Sequence, residues 1–269
     1  MKKLKINVNE LSYVGKGRTT PFRFEDKLLK LRELPKWSVF DEAREYREEN
    51  EILPIDVERE HKGVWLAKFL GVYTPATRLL NAELEDGGKT FSTPALLREW
   101  MDGPQYVTFS SLEGMNLVLP KRACHRLEFM YIVLCDFVLG NWDRTARNLI
   151  YDRDIDTLIP IDYENAFDYD RVPASVEGFE RVLSEFLFEP DLSGVLTMSP
   201  AILMSTWSYI MNNANYSLIE RIDKELPYRM ITLDYPLRMF ARKYRLGFFN
   251  APKTTIAERT SNAEDENSA

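Results

Sequence analysis

Asp143, Asn148 and Asp162 are the residues whose types and spacing could do chemistry. Asp143 and Asn148 stand five residues apart in Gly140-Asn141-Trp142-Asp143-Arg144-Thr145-Ala146-Arg147-Asn148. Asp162 follows Asn148 by fourteen residues, in Leu158-Ile159-Pro160-Ile161-Asp162-Tyr163-Glu164-Asn165-Ala166-Phe167. A carboxylate, an amide and a second carboxylate are the parts a phosphoryl-transfer site needs, because positioning and charge neutralisation do most of that catalysis. Asp143 would accept a proton from, or orient, an acceptor hydroxyl. Asn148 and Asp162 would offer hard oxygen ligands to one or two Mg2+ (or Mn2+) ions bridging the phosphates. The competing reading is an Asx-turn after a helix and a strand-end carboxylate, since loops are rich in Asp and Asn for turn reasons. Asp162 weighs against it: it directly follows Leu158 to Ile161, a buried-strand pattern in which an unpaired charge is costly.

Bringing the three residues together asks for a helix and a hairpin. Pro120 suits the first position of a helix, and Leu127, Met130, Tyr131, Leu134, Phe137 and Val138 recur at helical spacing until Gly140 stops it. Ile132, Val133 and Cys135 are apolar too, so this helix should be buried on most sides. Leu149 to Tyr151 and Leu158 to Ile161, joined by Asp152 to Thr157, read as a hairpin that returns Asp162 to the helix end.

The first hundred residues read as a small sheet with one helix. Leu4 to Val8, Leu11 to Val14, and Phe22 to Phe24 with Lys27 to Leu31 around Glu25-Asp26 have strand character. Gly15, Lys16, Gly17, Arg18 and Thr19 form a donor-rich turn suited to covering phosphates, although a Walker A lysine motif is absent and a plain hairpin loop fits as well. After a charged stretch, a helix is expected from about Ile55 to Leu70, stopped by Gly71. Thr77 to Leu84 and Thr90 to Met101 flank the turn Asp86-Gly87-Gly88. Beyond the hairpin, helices are expected over Glu177 to Phe188, Pro200 to Met211, Tyr216 to Lys224 and Leu233 to Tyr244, then a disordered tail from Ala251.

The segment from Asp136 through Asn148, with Ile161-Asp162 through Ala166-Phe167 after it, resembles the catalytic and metal-binding segments of the atypical kinases that include HipA-like protein kinases and phosphatidylinositol 3- and 4-kinases. The resemblance implies an α+β, two-lobed, protein-kinase-like fold with a small sheet-rich N-lobe and a mainly helical C-lobe. The expected boundaries are 1–103 and 104–250, meeting at Asp102-Gly103-Pro104, with the tail at 251–269. It implies Asp143 as catalytic base, with Arg144 beside it, and Asn148 and Asp162 as metal ligands. Thr145 departs from the pattern, standing where many relatives carry His after Asp-Arg. Lys30, in Leu28-Leu29-Lys30-Leu31, is similar to the family's strand lysine that reaches the phosphates, with Lys27 as the alternative. Val57, Glu60, Val64 and Ala67 share a helix face, so Glu60 is the acid best set to pair with Lys30, and Glu58 its competitor. Backbone groups near Glu99 and Met101 would read adenine, while Trp100 suits the core.

These expectations make the chain an ATP- and magnesium-dependent phosphotransferase with ATP between the lobes. The acceptor is an unidentified hydroxyl, with a protein Ser or Thr preferred over a lipid headgroup because no amphipathic membrane-facing surface is evident. The rivals are a lipid or small-molecule kinase, a nucleotide-binding regulatory module, and an enzyme that transfers the nucleotide itself. Composition narrows the classes further. Of 269 residues 45% are apolar, which suits a globular core, and the formal charge of −7 argues against nucleic acid as a partner. Residues 1–35 nonetheless carry nine basic side chains against four acidic ones. Two cysteines, Cys124 and Cys135, exclude a disulfide framework, and with only His61 and His125 no zinc cluster is expected. No secretion signal or membrane span is apparent, so a cytoplasmic setting is the default.

Overall fold

The computed structural model describes residues 2–15, 20–52, 54–108, 123–187 and 200–243, with the side chains of 123–126, 146 and 184–187 outside that set. Lys16, Gly17, Arg18 and Thr19, the helix start at Pro120, the side chains of Cys124 and His125, and the tail from Ala251 lie outside the described residues. The architecture is mixed α+β. A sheet-rich N-terminal region precedes a mainly helical C-terminal one, as in a two-lobed kinase-like fold.

Alternating buried and open residues build the N-terminal sheet. Its strands are β1 (Lys2–Asn7), β2 (Leu11–Tyr13), β3 (Phe22–Phe24), β4 (Lys27–Leu31), β5 (Thr77–Asp86) and β6 (Lys89–Glu99), in the order β1-β5-β6-β4-β3-β2. The pair β1 and β5 is parallel, and the others are antiparallel. One face carries Leu29, Leu31, Leu80, Ala82, Leu84 and Ala95 into an apolar cluster with Phe40 and Ala43. The other face carries Leu96, which packs with Ile55 and Val57. With period-two alternation and direct pairing across the ladder, Lys30, Leu96, Leu28 and Arg98 share this second face.

Two helices, not the single one expected, accompany this sheet: α1 (Asp41–Glu49) and α2 (Val57–Phe69). Helix α1 lies within the charged stretch and buries only Ala43 and Arg47, so it has no apolar period to read. Arg47 explains its position. Its Nε donates to Thr20 Oγ1 at 2.6 Å, Nη2 to the Leu31 carbonyl at 2.9 Å and Nη1 to the Arg32 carbonyl at 3.1 Å. Helix α2 starts at Asp56, whose side chain accepts from the Arg59 amide, an N-cap.

The C-terminal region surrounds α3 (Ala123–Leu139). A small sheet in the order β7-β8-β9 holds the expected hairpin, β8 (Leu149–Asp152) and β9 (Thr157–Pro160). A third strand, β7 (Tyr106–Thr108), joins it and is too short to register as a pattern. Helices α4 (Val176–Leu187), α5 (Pro200–Asn213), α6 (Tyr216–Ile222) and α7 (Leu226–Lys243) complete the region. Helix α7 begins seven residues before the expected Leu233, because buried Leu226, Arg229 and Met230 extend its packed face through a turn whose arginine breaks the apolar period. The main core joins α3, α4, α5 and α7 to Val64, Leu66 and Ala67 of α2. Helix α2 therefore ties the two regions: one end packs under the sheet and its middle is rooted in the helical core. Among the described residues no helix is long and apolar enough to cross a membrane.

Candidate active site

Helix α3 ends at Leu139, and Gly140 takes φ +64°, a turn that a side chain would disfavour. Asp136, in the last turn of the helix, is fully buried and anchors the loop beyond Gly140. It accepts from Asn141 Nδ2 at 2.8 Å, from Arg144 Nε at 2.9 Å and from Arg144 Nη2 at 3.0 Å. From below, Arg229 of α7 donates to the carbonyls of Phe137, Val138 and Val172, capping the helix end with a cation. The loop that starts at Asn141 is held from both sides before it reaches Asp143.

Arg144 has no exposed surface. Besides its two bonds to Asp136, its Nη1 donates to the Asn148 carbonyl at 3.1 Å and also to the Ile161 carbonyl, and its guanidinium lies 4.6 Å from the Tyr163 ring centroid. These bonds commit its donors to buried partners and clamp the loop to the end of β9. The Ile161 amide also donates to the Asn148 carbonyl at 2.9 Å, so Asn148 and Asp162 emerge side by side.

Within the loop, Asn148 Nδ2 donates to the Asp143 carbonyl at 3.0 Å, which leaves its Oδ1 as the atom that could face a cation. Asp143 is half-buried, and its Oδ2 accepts from Asn165 Nδ2 at 3.2 Å. Thr145 contributes its carbonyl to the 3-10 turn Ala146–Asn148, accepting from the Asn148 amide at 2.9 Å. Asp162 adopts φ +65°, a left-handed conformation uncommon for a residue with a side chain and often found where function fixes the backbone.

Lys30 meets this group from the opposite region. Its Nζ donates to Glu60 Oε2 at 2.7 Å, to Glu60 Oε1 at 2.9 Å and to Asp162 Oδ1 at 3.3 Å, linking strand β4, helix α2 and the segment after β9. The alternatives are engaged elsewhere: Lys27 pairs with Asp26 on the surface, and Glu58 lies 3.6 Å from Arg32. Burial works against the Lys30 ammonium, but Asp162 and Glu60 outweigh it and raise its pKa. Burial likewise lifts the Asp162 carboxyl, yet Lys30 first, then Arg98 and Arg144, hold it below the usual carboxylate range.

Glu99 and Met101 are joined to this cluster by no hydrogen bond or ion pair among the described residues. Met101 is half-buried; Glu99 is exposed and lines a cavity of about 390 Å³ with Lys68 and the loop from Gly71 to Ala76. Gly15 stands at the edge of the described residues with φ +133°. A larger cavity of about 590 Å³ opens beside the cluster, lined by Tyr46, Asn50, Asp56, Arg59, Glu164 and Asn165 among others.

Three residues that shape the site were not singled out from the sequence. Asp136 opens the segment that resembles the kinase loop, and its signal was a lone acid within an apolar helix. Gly63 lies on α2 where a Cβ would fall 2.7 Å from the Tyr163 Cβ and 3.3 Å from that of Ala166, so its lack of a side chain lets the helix touch the segment bearing Asp162. Arg98, 7% exposed, shares the sheet face of Lys30. Its signal was a charged residue within the apolar strand Ala95-Leu96-Leu97.

Asp162 and Asn148 could together hold Mg2+, which takes few protein ligands and completes its shell with phosphate and water. Among the described residues no three His, Cys, Asp or Glu side chains converge on one point.

No family model and no curated protein matches the chain. Among solved structures, the crystal structure of a Helicobacter pylori proinflammatory kinase, CtkA, aligns over 91% of this chain and 100% of that one, at 14% identity and a TM-score of 0.49. Shewanella oneidensis HipA, solved with HipB and its operator DNA, aligns over 87% of this chain and 65% of that one, at 12% identity and a TM-score of 0.38. Both are resemblances of fold at low identity.

Proposed function

We propose that this chain is an ATP- and magnesium-dependent phosphotransferase whose acceptor is a protein Ser or Thr hydroxyl, its own included. The observation that carries the reading is the contact of Lys30 with both Glu60 and Asp162 across three separate elements. A buried lysine shared by two carboxylates, one of them half-open to the cleft, suits a cation that exchanges a carboxylate for phosphate oxygens. Lys30 would bind the phosphates, kept in place by Glu60. Asp162 and Asn148 would hold Mg2+, which neutralises charge developing on the transferred group. Asp143 would orient the acceptor hydroxyl and take its proton at a carboxylate oxygen, with Asn165 holding the carboxylate through Oδ2. Arg144 and Asp136 act as positioning residues. Gly15 to Thr19 would cover the phosphates, and the backbone near Glu99 and Met101 would receive adenine.

The test is the intact mass of wild type, Asp143→Asn and Asp162→Asn after incubation with magnesium-ATP and a generic protein acceptor, alongside nucleotide binding. Phosphate-sized additions to protein are expected for the wild type alone. Asp143→Asn should still bind nucleotide, while Asp162→Asn should lose magnesium-dependent affinity. Additions the size of AMP would change the reaction class, and equal loss of binding in both variants would overturn the assigned roles.

A further inference from the structure

Arg98 is a buried cation whose Nε has no hydrogen-bond partner among the described residues. It lies opposite Leu28 in the β4–β6 ladder, two residues beyond Leu96, which is opposite Lys30. The two cations therefore project from the same sheet face toward α2. Only 7% of Arg98 is exposed, and its enclosed Nε has no hydrogen-bond partner among the described residues. An arginine stays charged under all ordinary conditions, and leaving its donors unpaired in a buried setting is costly. A surface arginine could satisfy itself with water, but this one is enclosed on its Nε side.

The surrounding charges explain how the guanidinium is tolerated and why it is not used up. Glu60 gives both oxygens to Lys30, and Asp162 gives one. Arg98 is close enough to influence both carboxylates and to be felt by Lys30, but it forms a hydrogen bond with none of them. Glu164 adds a third negative charge felt by Lys30, so without Arg98 an entering anion would meet a markedly more negative group. If Asp162 is committed to a divalent cation, Arg98 has no remaining carboxylate of its own.

We propose that Arg98 is a second cationic ligand for the polyphosphate of the bound nucleotide, donating guanidinium N–H groups to phosphate oxygen beside Lys30. The proposal rests on the nucleotide-binding reading of this cleft. It adds a binding residue, and it makes phosphate affinity depend on a strand β6 side chain as well as on Lys30. A fork of fixed donors suits phosphate geometry, and each charge-assisted bond it makes is stronger than a neutral one.

The experiment is a set of calorimetric titrations of the full chain with ATP, inorganic tripolyphosphate and adenosine, with magnesium and with a chelator. The proteins compared are wild type, Arg98→Met and Arg98→Lys, with the fold of each verified by thermal unfolding. In Arg98→Met, affinity for ATP and tripolyphosphate should fall about tenfold to a hundredfold, the loss of one charge-assisted hydrogen bond, while adenosine affinity is unchanged. Arg98→Lys, which keeps the charge but not the planar fork and serves if the methionine variant does not fold, should lose affinity for ATP and tripolyphosphate but not for adenosine, and unchanged phosphate affinity in it then overturns the proposal. Unchanged phosphate affinity in a folded Arg98→Met, or an equal loss for adenosine, overturns the proposal. Failure of wild type to bind ATP under any condition overturns the nucleotide reading itself and so is distinct from failure at Arg98.

Discussion

Gly63 of helix α2 lies against Tyr163 so closely that a Cβ on the glycine would fall 2.7 Å from the tyrosine Cβ. The helix that carries Glu60 and the segment that carries Asp162 are therefore in direct contact one turn away from the acid that holds Lys30. Gly63→Ala is expected to destabilise the protein, because overpacking costs about 1–3 kcal/mol while alanine's better helix propensity returns only about 1 kcal/mol. Denaturant midpoints of the two proteins check this. A more stable variant would mean that Tyr163 moves aside freely and the contact does not fix the site.

Glu60 is fully buried with both oxygens on Lys30, so its truncation should be expensive. Glu60→Ala is expected to cost about 3–5 kcal/mol, at the lower end because Asp162 still faces the lysine. The double variant Lys30→Met with Glu60→Leu removes both charges and should recover most of that stability. It should not recover nucleotide binding. Equilibrium unfolding and a binding titration on the same three proteins separate the structural share of the pair from its functional one.

The depressed pKa of Asp162 gives its contribution a defined pH dependence. Burial raises it, and the cations led by Lys30 outweigh burial, so the folded-state value lies below the ordinary 3.8. The native state then binds this proton less tightly than the unfolded chain. The stabilisation is present above about pH 4 and is lost as the pH falls through the folded-state value. The stability difference between wild type and Asp162→Asn should be level from about pH 8 to about pH 5 and shrink below about pH 4. Urea titrations at several pH values measure it, and a difference that widened in acid would contradict the pairing with Lys30.

Arg144 tests geometry instead of charge. Its guanidinium makes two bonds to Asp136 and two to carbonyls, so Arg144→Lys keeps the charge but loses the planar fork. The variant is expected to be destabilised by about 2–4 kcal/mol, intermediate between a tolerated change and the breaking of a buried pair. Hydrogen exchange should show the amides of Asn148 and Ile161 losing protection before those of α3. Uniform loss across the chain would mean that Arg144 serves global stability without clamping the loop.

Local pattern determined much of this molecule. The apolar period of Leu127 to Val138, the Asp86-Gly87-Gly88 turn and the hairpin around Asp152 to Thr157 each follow from side chains a few residues apart, and each appears in the structure. The sequence also singled out Lys30, Glu60, Asp143, Asn148 and Asp162 as residues able to do chemistry. Helix α1 escaped because it buries an arginine and an alanine, which leave no hydrophobic stripe. The full environment of the site depended on contacts between distant segments. Lys30 and Asp162 are 132 residues apart, and Arg98 joins their face only through the register of β4 on β6. Gly63 acquires a role only once α2 lies on Tyr163, and Arg144 becomes a clamp only when Asp136 and Ile161 close around it. Such partners are chosen by burial and by the need to satisfy buried charge, both properties of the assembled core, so no local spacing encodes them.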